Sequence, residues 1–349
     1  MTALPAGFAG RVVRWQQSHG RSGLPWQGSR DPYRVWLSEV MLQQTQVATV
    51  LTYFPRFIAR FPTVRDLAQA SLDDVLAQWS GLGYYSRARN LHRCAQAVVE
   101  LHGGEFPQRA TELETLPGIG RSTAAAIAAF CFGERAAILD ANVKRVLARV
   151  LGFGADLASA TAVRELWDHA TALLPARNAT DAMPRYTQGL MDLGATVCLP
   201  RKPACLLCPV LALCAAARLQ RPEDFPVKSR RLKRSSQSLW LLRAERPDGA
   251  IWLARRPAPG VWAGLYCLPL FDSRDDLEDA VPVDVRRGLR DAQPFVHVLT
   301  HKDLHLHPVA AQLPSDWHAA EGEWVTPARW AGVGLPAPVR KLLERRESD

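Results

Sequence analysis

The chain has 349 residues, 48% of them hydrophobic, and a formal net charge of +9. That is room for two domains of ordinary size and the composition of a globular protein able to bury sizeable cores. Residues 1–10 lack an apolar stretch behind a basic one, and the longest small-apolar run, 123–132, is far too short to span a bilayer. No signal peptide or membrane segment is therefore expected, and the chain reads as cytosolic. The basic balance raises the prior for a nucleic-acid partner, but a basic protein without a polyanion partner is common.

Residues 1–225 read as helical. Apolar residues recur at helical spacing over 35–51, 72–79, 88–101, 123–132 and 142–151. Asp31-Pro32, Phe61-Pro62, Gly81-Leu82-Gly83, Gly103-Gly104 and Pro117-Gly118 punctuate them. Ser71 before Leu72-Asp73-Asp74 is a helix cap with acids in the first turn. A basic linker follows over 226–234, where Lys228, Arg230, Arg231, Lys233 and Arg234 crowd together without an acid. It reads as a solvated tether or a phosphate contact. Strand signals then dominate 235–349: 238–243 and 250–254 flank the turn Pro247-Asp248-Gly249, and 264–268 and 305–309 are further candidates. Residues 276–289 and 339–345 read as helices, which makes this a mixed α/β domain.

In Leu116-Pro117-Gly118-Ile119-Gly120 the glycines allow a tight backbone that a ligand can approach closely. A helix starts directly after it, so its free N–H groups could hold a phosphate, although a plain corner between helices has the same composition. Glu39 lies in an apolar run, where a carboxylate is expensive, but it also fits a polar helix face with Ser38, Gln43 and Gln44. Asp140 precedes a basic helix and fits an N-cap. Cys198, Cys205, Cys208 and Cys214 have the spacing C-x6-C-x2-C-x5-C and read as a metal site, with zinc a serious rival on chemistry alone. Thiols stay reduced in a cytosol. Cys94, Cys131 and Cys267, scattered in apolar surroundings, read as buried small hydrophobes.

Three segments resemble a known family: 31–47 with Ser38-Glu39-Val40-Met41-Leu42-Gln43-Gln44-Thr45, 81–91 with Gly81-Leu82-Gly83-Tyr84-Tyr85, and 138–146 with Leu139-Asp140-Ala141-Asn142. With the glycine hairpin and the four cysteines they resemble the helix-hairpin-helix DNA glycosylases that carry an iron–sulfur cluster. Within these, they resemble the A/G-specific adenine glycosylase branch (the MutY family) more than the endonuclease III type. The resemblance implies a mainly α glycosylase domain over 1–225, in two helical lobes, with the hairpin at about 112–131 and a [4Fe–4S] loop at 198–214. It implies a Nudix-like domain over 235–349, carried by Pro259-Gly260-Val261-Trp262-Ala263-Gly264-Leu265.

The same resemblance assigns roles. Glu39 protonates adenine, Asp140 stabilises the sugar cation, and Asn142 orients the catalytic groups. Gln44 and Tyr84 intercalate, Thr45 and Leu82 lie near the opposing purine, and Leu24 and Trp26 line the adenine pocket. Gly118, Gly120 and Ser122 belong to the DNA-gripping hairpin. Ser122 stands where the endonuclease III type has a lysine that attacks the sugar, so a monofunctional enzyme is expected. Cys198, Cys205, Cys208 and Cys214 hold the cluster. Thr300, in Leu299-Thr300-His301, stands in the lesion-reading element but follows a leucine where the family has an aromatic. The acidic run Asp275-Asp276-Leu277-Glu278-Asp279 lacks the magnesium-holding Nudix pattern, so no pyrophosphohydrolase activity is expected. His297, His301, His305 and His307 read as ordinary strand histidines rather than zinc ligands. The implied substrate is double-stranded DNA with adenine opposite 8-oxoguanine or guanine, met by a monomer.

Overall fold

The structure is a computed structural model that describes residues 4–176, 179–229, 233–330 and 332–344. Arg230 and Arg231 of the basic linker, and Arg345 of the expected terminal helix, lie outside the described residues. Among the described residues no helix is long and apolar enough to cross a membrane.

The helices in chain order are α1 (Phe8–His19), α2 (Pro32–Leu42), α3 (Val47–Arg60), α4 (Val64–Gln69), α5 (Leu72–Trp79), α6 (Tyr85–His102), α7 (Ala110–Leu113), α8 (Arg121–Phe132), α9 (Ala141–Leu151), α10 (Ala160–Ala172), α11 (Ala179–Asp192) and α12 (Ala215–Arg218). Local chemistry explains several starts. Asp31 accepts from Tyr33 N at 2.9 Å with Pro32 opening α2, and Ser71 accepts from Asp74 N at 3.1 Å to cap α5. The apolar run 35–51 is not one helix. It breaks after Leu42 because the polar Gln43-Gln44-Thr45 supplies no core residue, and Gln44 takes a left-handed backbone (φ 56).

The contacts divide the chain into two compact units, 1–68 with 93–231 and 69–92 with 232–349. In the first, α1 and α8–α11 bury one core that includes Phe8, Val12, Leu147, Leu166 and Leu190. Ala124–Ala129 of α8 are all buried, and such small side chains let α2 and α11 pack closely on it.

The second unit is built on a mixed sheet of β1 (Ser235–Glu245), β2 (Ile251–Arg255), β3 (Tyr266–Cys267), β4 (Leu270–Phe271), β5 (Arg290–Asp291), β6 (Phe295–Val298), β7 (Lys302–Gln312) and β8 (Glu323–Val325). Its main order is β3-β2-β1-β7-β5, and β1 and β7 run parallel from Ser235↔Lys302 to Glu245↔Gln312. The expected helix 276–289 is two short ones, α13 (Arg274–Asp279) and α14 (Val283–Arg286). Pro282 lies between them, and proline both lacks a donor and disfavours helix at the residue before it. Two further short helices follow, α15 (Pro327–Trp330) and α16 (Ala337–Glu344). Residues 69–92, read from sequence as part of the helical domain, pack within this unit. Ser80 Oγ donates to Leu335 O at 2.9 Å, and Arg89 Nη1 donates to Ala263 O at 2.7 Å.

Candidate active site

A cleft of about 1630 Å³ opens in the first unit. Its walls carry Glu39 from α2, Gln44 and Thr45 from the turn after it, Ser122 from α8, and Asp140 and Asn142 at the start of α9. Leu24 and Trp26 line it from the segment between α1 and α2. The fold thus brings together on one cleft the three residues expected to be catalytic and five of those expected to contact the substrate or DNA.

The two carboxyls differ in their surroundings. Glu39 lines the cleft and is partly buried, and the loss of solvent, reinforced by the charge of Asp140, raises its pKa to about 8. Burial also raises Asp140, but its ionised form is favoured by backbone N–H groups of Val143 and Asn142 and by the charges of Arg145 and Lys144. Its side chain accepts from Val143 N at 2.7 Å, so it caps α9 while facing the cleft. Of the pair, Glu39 is therefore the group that keeps a proton near neutrality, while Asp140, also raised by burial, is the one with N–H groups and cations beside it that favour its anion.

Behind them the geometry is tight. Arg145 Nη2 donates to Asn142 Oδ1 at 2.9 Å and to Gly194 O at 2.6 Å, and Arg145 Nε donates to Cys198 O at 2.8 Å. A Cβ on Gly194 would lie 2.7 Å from Asn142 Cβ, so only glycine lets α9 come this close. Ser122 Oγ accepts from Leu139 N at 3.0 Å, tying α8 to the loop segment that delivers Asp140.

Gly118 has φ 76, a left-handed turn that favours glycine, and Gly120 is the N-cap of α8. Trp26 is both a pocket wall and core: it is buried edge-on against Phe54. In the second unit, Tyr84 is exposed, has φ 48, and shares a hydrogen bond between its hydroxyl and that of Thr300. Leu82 is buried. His297 and His307 pack on Trp262 and Trp240.

Cys198, Cys205, Cys208 and Cys214 line one small cavity between α9 and the loop after α11. Arg149, 2% exposed, reaches this loop: its Nη1 lies 3.3 Å from Cys198 Sγ and donates to Leu199 O at 2.6 Å. Among the described residues, no three His, Cys, Asp or Glu side chains converge tightly enough for a single metal ion. The thiols of Cys94, Cys131 and Cys267 are buried and pushed up to about 12 by that burial.

Sequence reasoning passed over three groups here. Arg145 looked like one more charge on a basic helix. Asp192 and Gln188 sit on α11, where Asp192 is fully buried and pairs with Arg21 at 2.6 Å. An acid inside Leu190-Met191-Asp192-Leu193 carries the same signal as Glu39 and was open to the same reading.

Residues 37–169 match the model of the HhH-GPD superfamily of base excision DNA repair proteins, and residues 240–345 match a NUDIX domain. The chain is 34% identical over 346 residues to the adenine DNA glycosylase of Buchnera aphidicola subsp. Acyrthosiphon pisum (strain APS), covering 97% of each. It is 45% identical over 406 aligned positions to the adenine DNA glycosylase of Mus musculus, covering 97% of this chain and 78% of that one. Among solved structures, a thermostable thymine-DNA glycosylase matches with a TM-score of 0.53 at 27% identity, over 61% of this chain and 95% of that one.

Proposed function

The chain belongs to the adenine DNA glycosylases of the HhH-GPD base excision repair superfamily, and on that premise we propose that it excises adenine mispaired with 8-oxoguanine or guanine. The observation that carries this reading is the pair of carboxyls on one cleft: burial raises both, Glu39 to about 8, while Asp140 has N–H groups and cations beside it that favour its anion.

Adenine is a poor leaving group, and its departure leaves an electron-deficient sugar. Glu39 gives its proton to the base as the bond to the sugar breaks and the bonding electrons leave with adenine. Asp140 faces the developing cation and stabilises it, and water then bonds to the sugar carbon, its proton returning to the Glu39 carboxylate. A duplex hides the base, so the nucleotide must be rotated into the cleft at a cost of about a few kcal/mol. Gln44 in the first unit and Tyr84 in the second each suit an intercalating role: each is an exposed side chain on left-handed backbone, a strained geometry that tends to mark functional positions. The hairpin at Gly118–Gly120 grips a phosphate, and Thr300 contacts the lesion base.

Because Ser122 has no amine, product formation stops at an abasic site. A duplex with one 8-oxoguanine·A pair should show strand breaks only after alkali, and borohydride should trap no covalent adduct. Breaks before alkali would contradict the assignment. The pH profile follows from Glu39. The acid works only while protonated, so single-turnover rates should be level near neutrality and fall as pH rises through about 8. A rate that climbs steadily to pH 9 would count against Glu39 as the acid.

The four cysteines suit a [4Fe–4S] cluster. Four cysteines round one cavity are a donor set that suits such a cluster, and the buried Arg149 would offset the charge of their thiolates. Held by these four cysteines, such a cluster would serve a structural role, fixing the loop that carries Arg201 and Lys202. Cys205→Ser should lower bound iron and sulfide and weaken DNA binding. Retention of zinc with no iron in the purified protein would refute the cluster.

A further inference from the structure

Tyr84 sits on a backbone that its side chain disfavours, and one buried residue holds that backbone in place. Gly81, Gly83 and Tyr84 all have positive φ, at 102, 72 and 48, and of the three only Tyr84 carries a side chain. Left-handed backbone crowds a Cβ against the following carbonyl, so an aromatic residue stays there only where its surroundings fix it.

Arg87, in the first turn of α6, supplies much of that fixing, and it is 8% exposed. Its Nη2 donates to Leu82 O at 3.2 Å and to Gly83 O at 3.3 Å, the two carbonyls just before Tyr84. Its guanidinium carbon lies 5.3 Å from the ring centres of both Trp79 and Tyr84, within the range of a cation–π contact. Trp79 Nε1 adds a bond to Gly83 O at 3.1 Å, and Arg87 N donates to Tyr84 O at 2.8 Å. Burial lowers the guanidinium only to about 10, so it stays charged at neutrality. Tyr84 itself is 41% exposed, so the anchored ring remains open to a partner.

We propose that Arg87 is a positioning residue that locks Tyr84 in the protruding conformation from which it enters the base stack. This rests on the reading that Tyr84 intercalates. Arg87 is too buried to meet the duplex, so it acts through the tyrosine. Lysine would keep the charge but not the planar group that faces both rings while donating to both carbonyls.

The test uses a duplex with 8-oxoguanine opposite a 2′-fluoro-deoxyadenosine, whose fluorine disfavours the sugar cation and keeps the base in place. A 2-aminopurine beside the 8-oxoguanine reports unstacking by a rise in fluorescence. Wild type should give the rise on binding, and Tyr84→Ala should lose most of it. Arg87→Met and Arg87→Lys should also lose most of it although Tyr84 is intact. The double variant Tyr84→Ala/Arg87→Met should lose no more than Tyr84→Ala, because both changes act through one ring. With ordinary adenine, single-turnover release by Arg87→Met should fall about tenfold or more, the scale of loss from a misplacement remote from the reacting bond. A full rise in folded Arg87→Met, with only lower thermal stability, would reduce Arg87 to a structural residue and overturn the proposal. If Arg87→Met does not fold, Arg87→Lys decides, and a full rise there also overturns it. A full rise with Tyr84→Ala is a different result: it refutes intercalation by Tyr84, and the proposal with it.

Discussion

Replacing Glu39 by glutamine should slow single-turnover adenine release by about 10²–10⁴-fold, the range expected when a general acid is lost. DNA binding should stay near wild type, because glutamine keeps the shape and removes only the proton. The same variant should be more stable at neutral pH. The folded carboxyl has its pKa raised to about 8 from an ordinary value of 4.5, so folding takes up a proton between those limits. Stability contributed by this position therefore falls as pH rises from 4.5 to about 8. Allowing for the solvent that reaches Glu39 through the cleft, Glu39→Gln should gain about 1–3 kcal/mol at neutral pH. Denaturant midpoints measured across this pH window would show the gain growing with pH. A variant that loses stability and keeps its rate would make Glu39 an ordinary helix residue.

Substitution of Asp140 should separate two roles that one side chain performs. Asparagine caps a helix about as well as aspartate but carries no charge. Asp140→Asn should therefore lose about 10²–10³ in rate, as expected when a stabilising group aimed at developing charge is removed, with stability little changed. Asp140→Ala should lose a similar factor in rate and about 1 kcal/mol of stability from the missing cap. Equal rates for wild type and Asp140→Asn would leave only the N-cap. The bond to Val143 N at 2.7 Å explains why that simpler reading was attractive from sequence, and the charges of Arg145 and Lys144 explain why it is incomplete.

Much of the helical unit was legible in the chain. The starts of α2 and α5 follow from Asp31-Pro32 and Ser71, whose side chains bond the first free N–H groups. The length of the run 35–51 misled, because a polar turn of Gln43-Gln44-Thr45 interrupts periodicity without the glycine or proline that usually marks a break. Pro282 was a signal of the ordinary kind, and it does separate α13 from α14. The packing of 69–92 with the second unit had no local signal, since it depends on partners such as Leu335 and Ala263 far along the chain. In the cleft, the residue types of Glu39 and Asp140 suggested their chemistry, but only geometry shows their unequal environments. Arg145 illustrates the remaining gap: its three partners are one residue on its own helix and two backbone carbonyls beyond α11, and no spacing rule brings those together.

The central claim is most directly tested by single-turnover assay of free adenine released by wild-type protein from a duplex containing one 8-oxoguanine·A pair. Adenine is the expected released base, with an intact but alkali-labile strand left behind. Absence of adenine, with cleavage of a thymine-glycol duplex instead, would contradict it and place the protein's chemistry with oxidised pyrimidines.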